Sequence, residues 1–402
     1  MSAPFAGRRL WFVGIGGAGL SAYAQLARAW GAEVGGWDRV ETRYLAPLGD
    51  IELEIAPEPV VPVGWEAVVS SAYPSVAGLR RAEFLRELVS SRPSIVVAGT
   101  HGKGTTAAMI AFVLRELGRD PAWLIGAPVP QLGSNAGFGS GHLVVEGDES
   151  DRTVFSLPAE IAVITNVELD HHSEYASAAE LESAFDAWLA TAGAVVRDAP
   201  SYAGPLALPG ELNRLNAGTA LAALALAGVA AGDAEPALAR FKGTGRRFEV
   251  HELDGLTLVD DYGHHPTEIA ATIAAARERF PGAPLRVLFQ PHLYSRTRHL
   301  AAELAEALVS ADDVTVTDVY PAREALVPGV TGKLVVDALS DRGVLAGWTP
   351  TVEQGVEVTD LDRREFLMFG FDAPPAQSTP QPIHVWAWGG RSWQQPDSPQ
   401  TG

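Results

Sequence analysis

The sequence predicts an α/β protein built from three consecutive units, and three observations carry that reading. The chain has 402 residues, more than one core accommodates at roughly 100–200 residues per domain. Apolar residues make up 47% and charged residues 20%, the composition of a globular chain with material for real cores. An apolar strand followed by a helical pattern begins near residue 10, and the same alternation starts afresh at residues 94 and 256.

In the first unit, residues 10–13 form an apolar run and Gly14-Ile15-Gly16-Gly17-Ala18-Gly19 form a turn. Leu20, Tyr23, Ala24, Leu26 and Ala27 then recur at helical spacing up to Gly31. Residues 32–37 are the next strand, closing on Asp38, and residues 67–71 a later one, closing around Ser70 and Ser71. The second unit opens with a strand at 94–98, glycines, and a helix from about 105 to 117; buried strands follow at 143–145 and 161–165, then an alanine-rich helical region at 213–231. The third unit has a strand at 256–261, a helix at 267–280, a strand at 285–290, a helix at 300–310 and a strand at 313–318. After Ala373 the chain is rich in Pro, Gln and Ser around one last strand at 383–388, and the end is expected to be disordered. No repeat of solenoid period is present.

Acidic residues number 49 and basic residues 30, a net charge of −19 that disfavours non-specific binding to nucleic acid or anionic membranes. Any phosphate ligand must therefore be held by local donors. The absence of cysteine excludes disulfides, zinc thiolates, iron–sulfur clusters and a thiol nucleophile. The opening MSAPFAGRRLWFVGIGGAG fits neither a signal peptide nor a membrane span, so a cytoplasmic protein is expected.

Two glycine loops carry chemistry. Gly14, Gly16 and Gly19 fit G-x-G-x-x-G between a strand and a helix, where bare backbone lets a diphosphate reach the N–H groups of the helix N-terminus. Asp38 ends the next strand, where a ribose hydroxyl is read, so NAD is the default ligand at this point. The second loop reads Gly99-Thr100-His101-Gly102-Lys103-Gly104-Thr105-Thr106, where backbone N–H groups wrap triphosphate oxygens, Lys103 neutralises them and a hydroxyl reaches a divalent cation. It is not a standard Walker A, since Val97 stands where the first glycine belongs. The next two strands end in Glu146-Gly147-Asp148-Glu149-Ser150-Asp151 and Asn166-Val167-Glu168-Leu169-Asp170-His171-His172. In a parallel sheet such ends gather at one site, and a hydroxyl, a carboxylate and an imidazole suit a cation bridging phosphates.

These segments, with GELNRLNAG (210–218), RRFE (246–249), DDYGHHPTEI (260–269) and FQPHLYSRT (289–297), resemble the Mur ligases, which use ATP to join amino acids to a peptidoglycan precursor. DDYGHHP together with FQPHLYSRT is similar to the members that add L-alanine to UDP-N-acetylmuramate. The resemblance implies a Rossmann-like UDP-sugar domain over residues 1–92, a central P-loop ATPase-like domain with a mostly parallel sheet over 93–245, and a Rossmann-like amino-acid domain over 246–402. It moves the first loop from NAD to the UDP diphosphate, with Gly14, Gly16, Gly17, Ala18, Gly19, Asp38, Ser70 and Ser71 as its candidate residues. ATP falls to Gly99 through Thr106, Asn213 and Asn216 near the adenine, and Arg247 and Asp261. Thr105, Glu146 and His171 are the implied ligands of magnesium or manganese, and Tyr262, His264, His265 and Arg296 the amino-acid site. Lys103, His171, His264 and Arg296 are the catalytic candidates.

Three features depart from the family pattern. Gly104 stands where threonine follows the lysine, which moves the metal hydroxyl to Thr105 with Thr106 in reserve; Leu293 replaces an arginine; and the last strand reads His384 to Arg391 in an unusual way. On these grounds the alternatives are a nucleotide-binding homologue without catalysis and, from the first loop alone, a nicotinamide oxidoreductase.

Overall fold

The computed structural model describes residues 3–170, 174–253, 256–322, 324–352, 354 and 366–369. The strand expected at 383–388 and His171 lie outside them. Two compact units emerge: one holds the described chain up to Leu169, Glu174–Leu208 and Leu212–Gly245, the other Asp170, Pro209–Glu211 and the described chain from Arg246 onward.

The first unit contains two sheets. Strands β1 (Arg9–Val13), β2 (Glu33–Asp38), β3 (Glu52–Ile55), β4 (Glu66–Val69) and β5 (Leu79–Arg80) pair in parallel in the order β3-β2-β1-β4-β5, with helices α1 (Ala18–Ala29) and α2 (Arg81–Ser90). The strand order reverses between β1 and β4, which puts the loop after β1 at the crevice where open α/β sheets take ligands. The second sheet runs β11-β10-β6-β9-β7-β8. Its elements are β6 (Ser94–Ala98), α3 (Lys103–Glu116), β7 (Ala122–Leu124), β8 (Ala136–Gly137), β9 (Leu143–Glu146), β10 (Ile161–Ile164), α4 (Ala178–Leu189), β11 (Ala194–Val196), α5 (Glu211–Leu226) and α6 (Ala231–Leu238). β6 is buried on both faces, as a central parallel strand must be, and its neighbours β9 and β10 both run parallel to it. One continuous apolar cluster joins the sheets, with Phe84 and Leu88 of α2 in it beside Val96, Val145, Tyr175 and Phe185.

The second unit has one sheet in the order β12-β13-β17-β14-β15-β16, parallel except for the edge hairpin of β12 (Glu249–Leu253) with β13 (Leu256–Asp261). The other elements are α7 (Pro266–Arg279), β14 (Arg286–Phe289), α8 (Tyr294–Leu308), β15 (Asp313–Thr317), α9 (Lys333–Ser340), β16 (Ala346–Thr349) and β17 (Phe366–Phe369). Ile269, Ile273, Val287, Phe289, Leu304 and Leu308 form its core.

The α/β alternation agrees with the sequence reading, and several boundaries move. Helix α8 starts six residues before residue 300, because Leu293 takes φ 67°, ψ 132° at its N-cap and the helix kinks at Leu300. The helical region read over 213–231 divides into α5 and α6 at Gly228, whose φ of 77° ends the first helix. Helices α2, α4 and α9 and strands β3, β5, β7, β8, β11, β12, β16 and β17 were not read from the sequence.

Candidate active site

The phosphate-type loop sits between β6 and α3, where two of its glycines are dictated by geometry. Gly99 has φ 122° and Gly102 φ 78°, and Gly102 is the N-cap of α3 in the left-handed region. A Cβ on Gly99 would overlap Thr165 Oγ1, and one on Gly102 would overlap Asn216 Oδ1. The loop is stapled to the end of β10. His101 donates its N–H to Asn166 Oδ1 (2.9 Å), and its carbonyl accepts from Asn166 Nδ2 (2.9 Å) and Thr165 Oγ1 (2.6 Å). Thr100 Oγ1 donates to the Glu168 carbonyl (2.8 Å) and accepts from the Glu168 N–H (2.9 Å). Thr165, Asn166 and Glu168 were not among the sequence candidates, although Asn166 and Glu168 precede Asp170 and His171 in the quoted segment.

Lys103 Nζ donates to the Gly99 carbonyl (2.7 Å), the Thr100 carbonyl (3.1 Å) and Glu149 Oε1 (2.9 Å). Burial alone would lower this lysine, but the carboxylates of Glu149, Asp148 and Glu146 outweigh it and hold the ammonium above the ordinary range. The cation is thus fixed at the helix N-terminus, pointing back into its own loop. Glu146, at the end of β9, accepts the Gly126 N–H at 2.5 Å. Its Oε2 lies 3.1 Å from where a Cβ on Gly104 would stand, so the glycine makes room for the carboxylate over the first turn of α3. Thr105 is buried in that turn, and Thr106 is fully buried with no hydrogen-bond partner for its hydroxyl. The oxygens of Thr105 and Glu146 are of the kind that suits a hard divalent cation. Asn216 lies against Gly102, while Asn213 is half-buried on the first turns of α5.

At the other glycine loop, Gly14 and Gly16 are buried, Gly17 is exposed, and Ala18 and Gly19 open α1 half-exposed. Asp38 Oδ2 accepts the Gly16 N–H and Oδ1 the Arg39 N–H, both at 2.7 Å. The carboxylate expected to read a ribose therefore closes the loop itself. Ser70 continues β4 by donating its N–H to the Val13 carbonyl (3.0 Å) and lies against Gly14, whereas Ser71 is exposed. Arg81, absent from the sequence candidates, brings Nε to 3.4 Å from a Cβ placed on Gly19 and pairs through Nη1 with Asp151 Oδ2 at 3.2 Å.

The second unit gathers its candidates at the ends of β13 and β14. Asp261 accepts N–H groups of Phe248 (2.8 Å) and Gly263 (2.7 Å) while burial pushes its carboxyl up to about 6 against the pull of Arg247. Arg247 pairs with buried Glu268 (3.0 Å) and, like Arg246, packs over Tyr262, with guanidinium to ring distances of 5.2 Å and 4.6 Å. His265 caps α7 through Nδ1, which accepts the Thr267 N–H at 3.4 Å. His264 places Nδ1 3.0 Å from the Tyr262 carbonyl, so the neutral ring carries its proton there and turns Nε2 into an acceptor. Burial and then the nearby Arg296 push His264 down to about 3.

Arg296 is only 2% exposed, and every nitrogen of its guanidinium is engaged. Nε and Nη2 hold Asp170 in a fork at 2.9–3.1 Å, and Nη1 donates to His292 Nδ1 at 2.8 Å. His292 lies between His264 (5.7 Å) and Tyr320, on which it stacks at 5.8 Å. Asp170, His292 and Glu268 were missed as site residues, although His292 stands inside the quoted FQPHLYSRT.

Residues 246–365 match the family described as Mur ligase, glutamate ligase domain. The UDP-N-acetylmuramate–L-alanine ligase of Renibacterium salmoninarum is 38% identical over 82% of this chain and 86% of its own length. The ligase of the same name from Acidithiobacillus ferrooxidans is 36% identical over 85% and 90%. The crystal structure of the UDP-N-acetylmuramate–alanine ligase of Thermotoga maritima superposes with a TM-score of 0.72 at 26% identity, covering 90% of this chain and 95% of that one.

Proposed function

The chain belongs to the Mur ligases, within the UDP-N-acetylmuramate–L-alanine ligase family, and from that membership we propose a specific chemistry for its two clusters. The protein is an ATP-dependent ligase that joins L-alanine to the lactyl carboxylate of UDP-N-acetylmuramate, a step of peptidoglycan precursor synthesis. The observation that carries the assignment of roles is the Lys103 loop, a cation held among Gly99, Thr100 and Glu149 at a helix N-terminus.

In this reading the lactyl carboxylate oxygen bonds to the γ-phosphorus of ATP and ADP leaves, giving an acyl phosphate. The alanine amine, having lost a proton, attacks the acyl carbon, and phosphate departs. Lys103 neutralises charge on the transferring phosphoryl group, and the backbone N–H groups from Gly99 to Thr106 cradle the triphosphate. Asn213 and Asn216 serve the adenine, Arg247 and Asp261 the nucleotide, and residues 14–19 with Asp38, Ser70 and Ser71 the UDP-sugar. Thr105 and Glu146, with His171, would hold magnesium, which would add positive charge at the phosphates. His264 orients the attacking amine through Nε2, Tyr262 and His265 line its site, and Arg296 forks onto the amino-acid carboxylate. The domain limits 1–92, 93–245 and 246–402 belong to the same proposal. No helix among the described residues is long and apolar enough to cross a membrane, and a cytoplasmic location goes with the soluble, nucleotide-linked substrates.

A coupled phosphate-release assay over a panel of amino acids tests the whole reading. Release is expected only when ATP, magnesium, UDP-N-acetylmuramate and L-alanine are all present. Equal release without the sugar, or unchanged synthesis by Lys103→Ala, overturns it.

A further inference from the structure

The fork of Arg296 is already filled by a carboxylate of the chain itself. Asp170 is 4% exposed, and its two oxygens take Nε and Nη2 in the side-on geometry that an arginine offers to any carboxylate. The remaining nitrogen is held by His292 Nδ1, so Arg296 has no edge left with which to receive a second carboxylate. An amino acid that binds Arg296 through its own carboxylate must first displace Asp170. We propose that Asp170 is a specificity-determining residue of the acceptor site, an internal carboxylate that occupies the Arg296 fork and yields it to the incoming amino acid.

The inference rests on the reading of Arg296 as the amino-acid anchor. Its physical content is a competition at fixed local concentration. The apparent affinity for the acceptor is lowered by the fraction of molecules whose fork is open, and that tax disappears when the competitor is removed. The exchange replaces one charge-assisted pair by another of the same type, so an α-carboxylate can win, whereas a ligand without one leaves Asp170 in place. The pair thereby screens acceptors on the group next to their amine rather than on their side chain. His292 keeps the guanidinium oriented while its other edge changes partner.

The test is the steady-state KM for L-alanine at saturating ATP, magnesium and UDP-N-acetylmuramate, in Asp170→Asn and Asp170→Ser beside the parent enzyme. Both variants remove the competing charge and keep a small polar group, and either one that folds suffices. The expected result is a KM for L-alanine lowered roughly five- to tenfold. Propionate, a carboxylate without an amine, is expected to inhibit these variants more strongly than the parent. Because Asp170 adjoins His171, kcat is expected to fall while KM improves. A KM that is unchanged or raised in a folded variant overturns the proposal, since Asp170 would then be merely structural or a fixed support of Arg296. Arg296→Lys separates the two readings. If that change leaves the KM for L-alanine untouched, the anchor assignment itself fails; if it raises KM while Asp170→Asn does not lower it, only the competition fails.

Discussion

Replacing Gly102 by alanine perturbs the glycine loop before α3 at the point where backbone and neighbour both resist. The residue sits at φ 78°, ψ −1°, where a side chain costs about 1 kcal/mol relative to glycine. The new methyl would overlap Oδ1 of buried Asn216, and shifting loop or amide to relieve that overpacking costs about 1–3 kcal/mol. The stiffer unfolded chain returns roughly 0.4–1 kcal/mol, leaving a net loss of about 2–3 kcal/mol. In a unit of this size that corresponds to a drop in Tm of roughly 4–12 °C for the transition that involves α3. Calorimetry of Gly102→Ala, Asn216→Ser and the double variant reads it as a cycle. The overlap is absent from the double variant, so the two changes should be non-additive by about 1–2 kcal/mol, with the glycine strain left over. Titration with a non-hydrolysable ATP analogue should show weakened binding in the single Gly102 variant. A Gly102→Ala protein that melts with the parent, or a cycle that sums within error, would refute the reasoning.

Lys103→Ala is expected to abolish phosphate release and also to destabilise the fold, by about 3–5 kcal/mol, because it removes the cation that faces Glu149, which is 1% exposed; adding Glu149→Gln should restore Tm but not turnover. Two titrations in the second unit oppose each other. Asp261, raised to about 6, binds its proton more tightly in the folded state and so takes stability away as pH rises from about 4 to 6. His264, lowered to about 3, stays neutral when folded and so adds stability as pH rises toward 6.5. Urea midpoints from pH 4 to 6.5 should rise with pH in Asp261→Asn and fall in His264→Gln, and parallel profiles in the two variants would contradict this. Leu293→Gly should be about 1 kcal/mol more stable than Leu293→Ala, because both lose the side chain but only glycine accepts φ 67° without strain. Equal melting temperatures would remove strain from the account of α8.

Local pattern made much of the architecture legible. The strand at 94–98 carries its own signal, since a buried parallel strand is a nearly continuous apolar run, here closed by glycine. Helix α4 also had one that went unread: Ser177 caps it by accepting the Glu180 N–H, the S-x-x-E spacing of a helix start. Helix α8 had no such signal, because its N-cap is a leucine at positive φ, and the amphipathic pattern becomes regular only after the kink at Leu300. Strand β17 was beyond reach for another reason. It lies between β13 and β14 although it follows both in the chain, and pairings that distant leave no periodicity to read. At the candidate site the residue types could be named from motifs, but not their present partners. Lys103 turned toward Glu149, Asp38 folded onto Gly16, and Arg296 spent on Asp170 across 126 positions are choices among competing acceptors, decided by three-dimensional proximity.

The apolar seam that runs from α2 into the second sheet has a practical meaning for anyone dividing this chain. A fragment ending at residue 92 would take Phe84 and Leu88 away from Val145, Tyr175 and Phe185 and turn half of a common interior outward. Such a piece should bind apolar dyes and self-associate, while one ending at residue 245 keeps that interior closed; size-exclusion profiles of the two would tell them apart. The two sheets of the first unit are thus coupled through apolar packing, and a core substitution made on one side should be felt in the melting of the other.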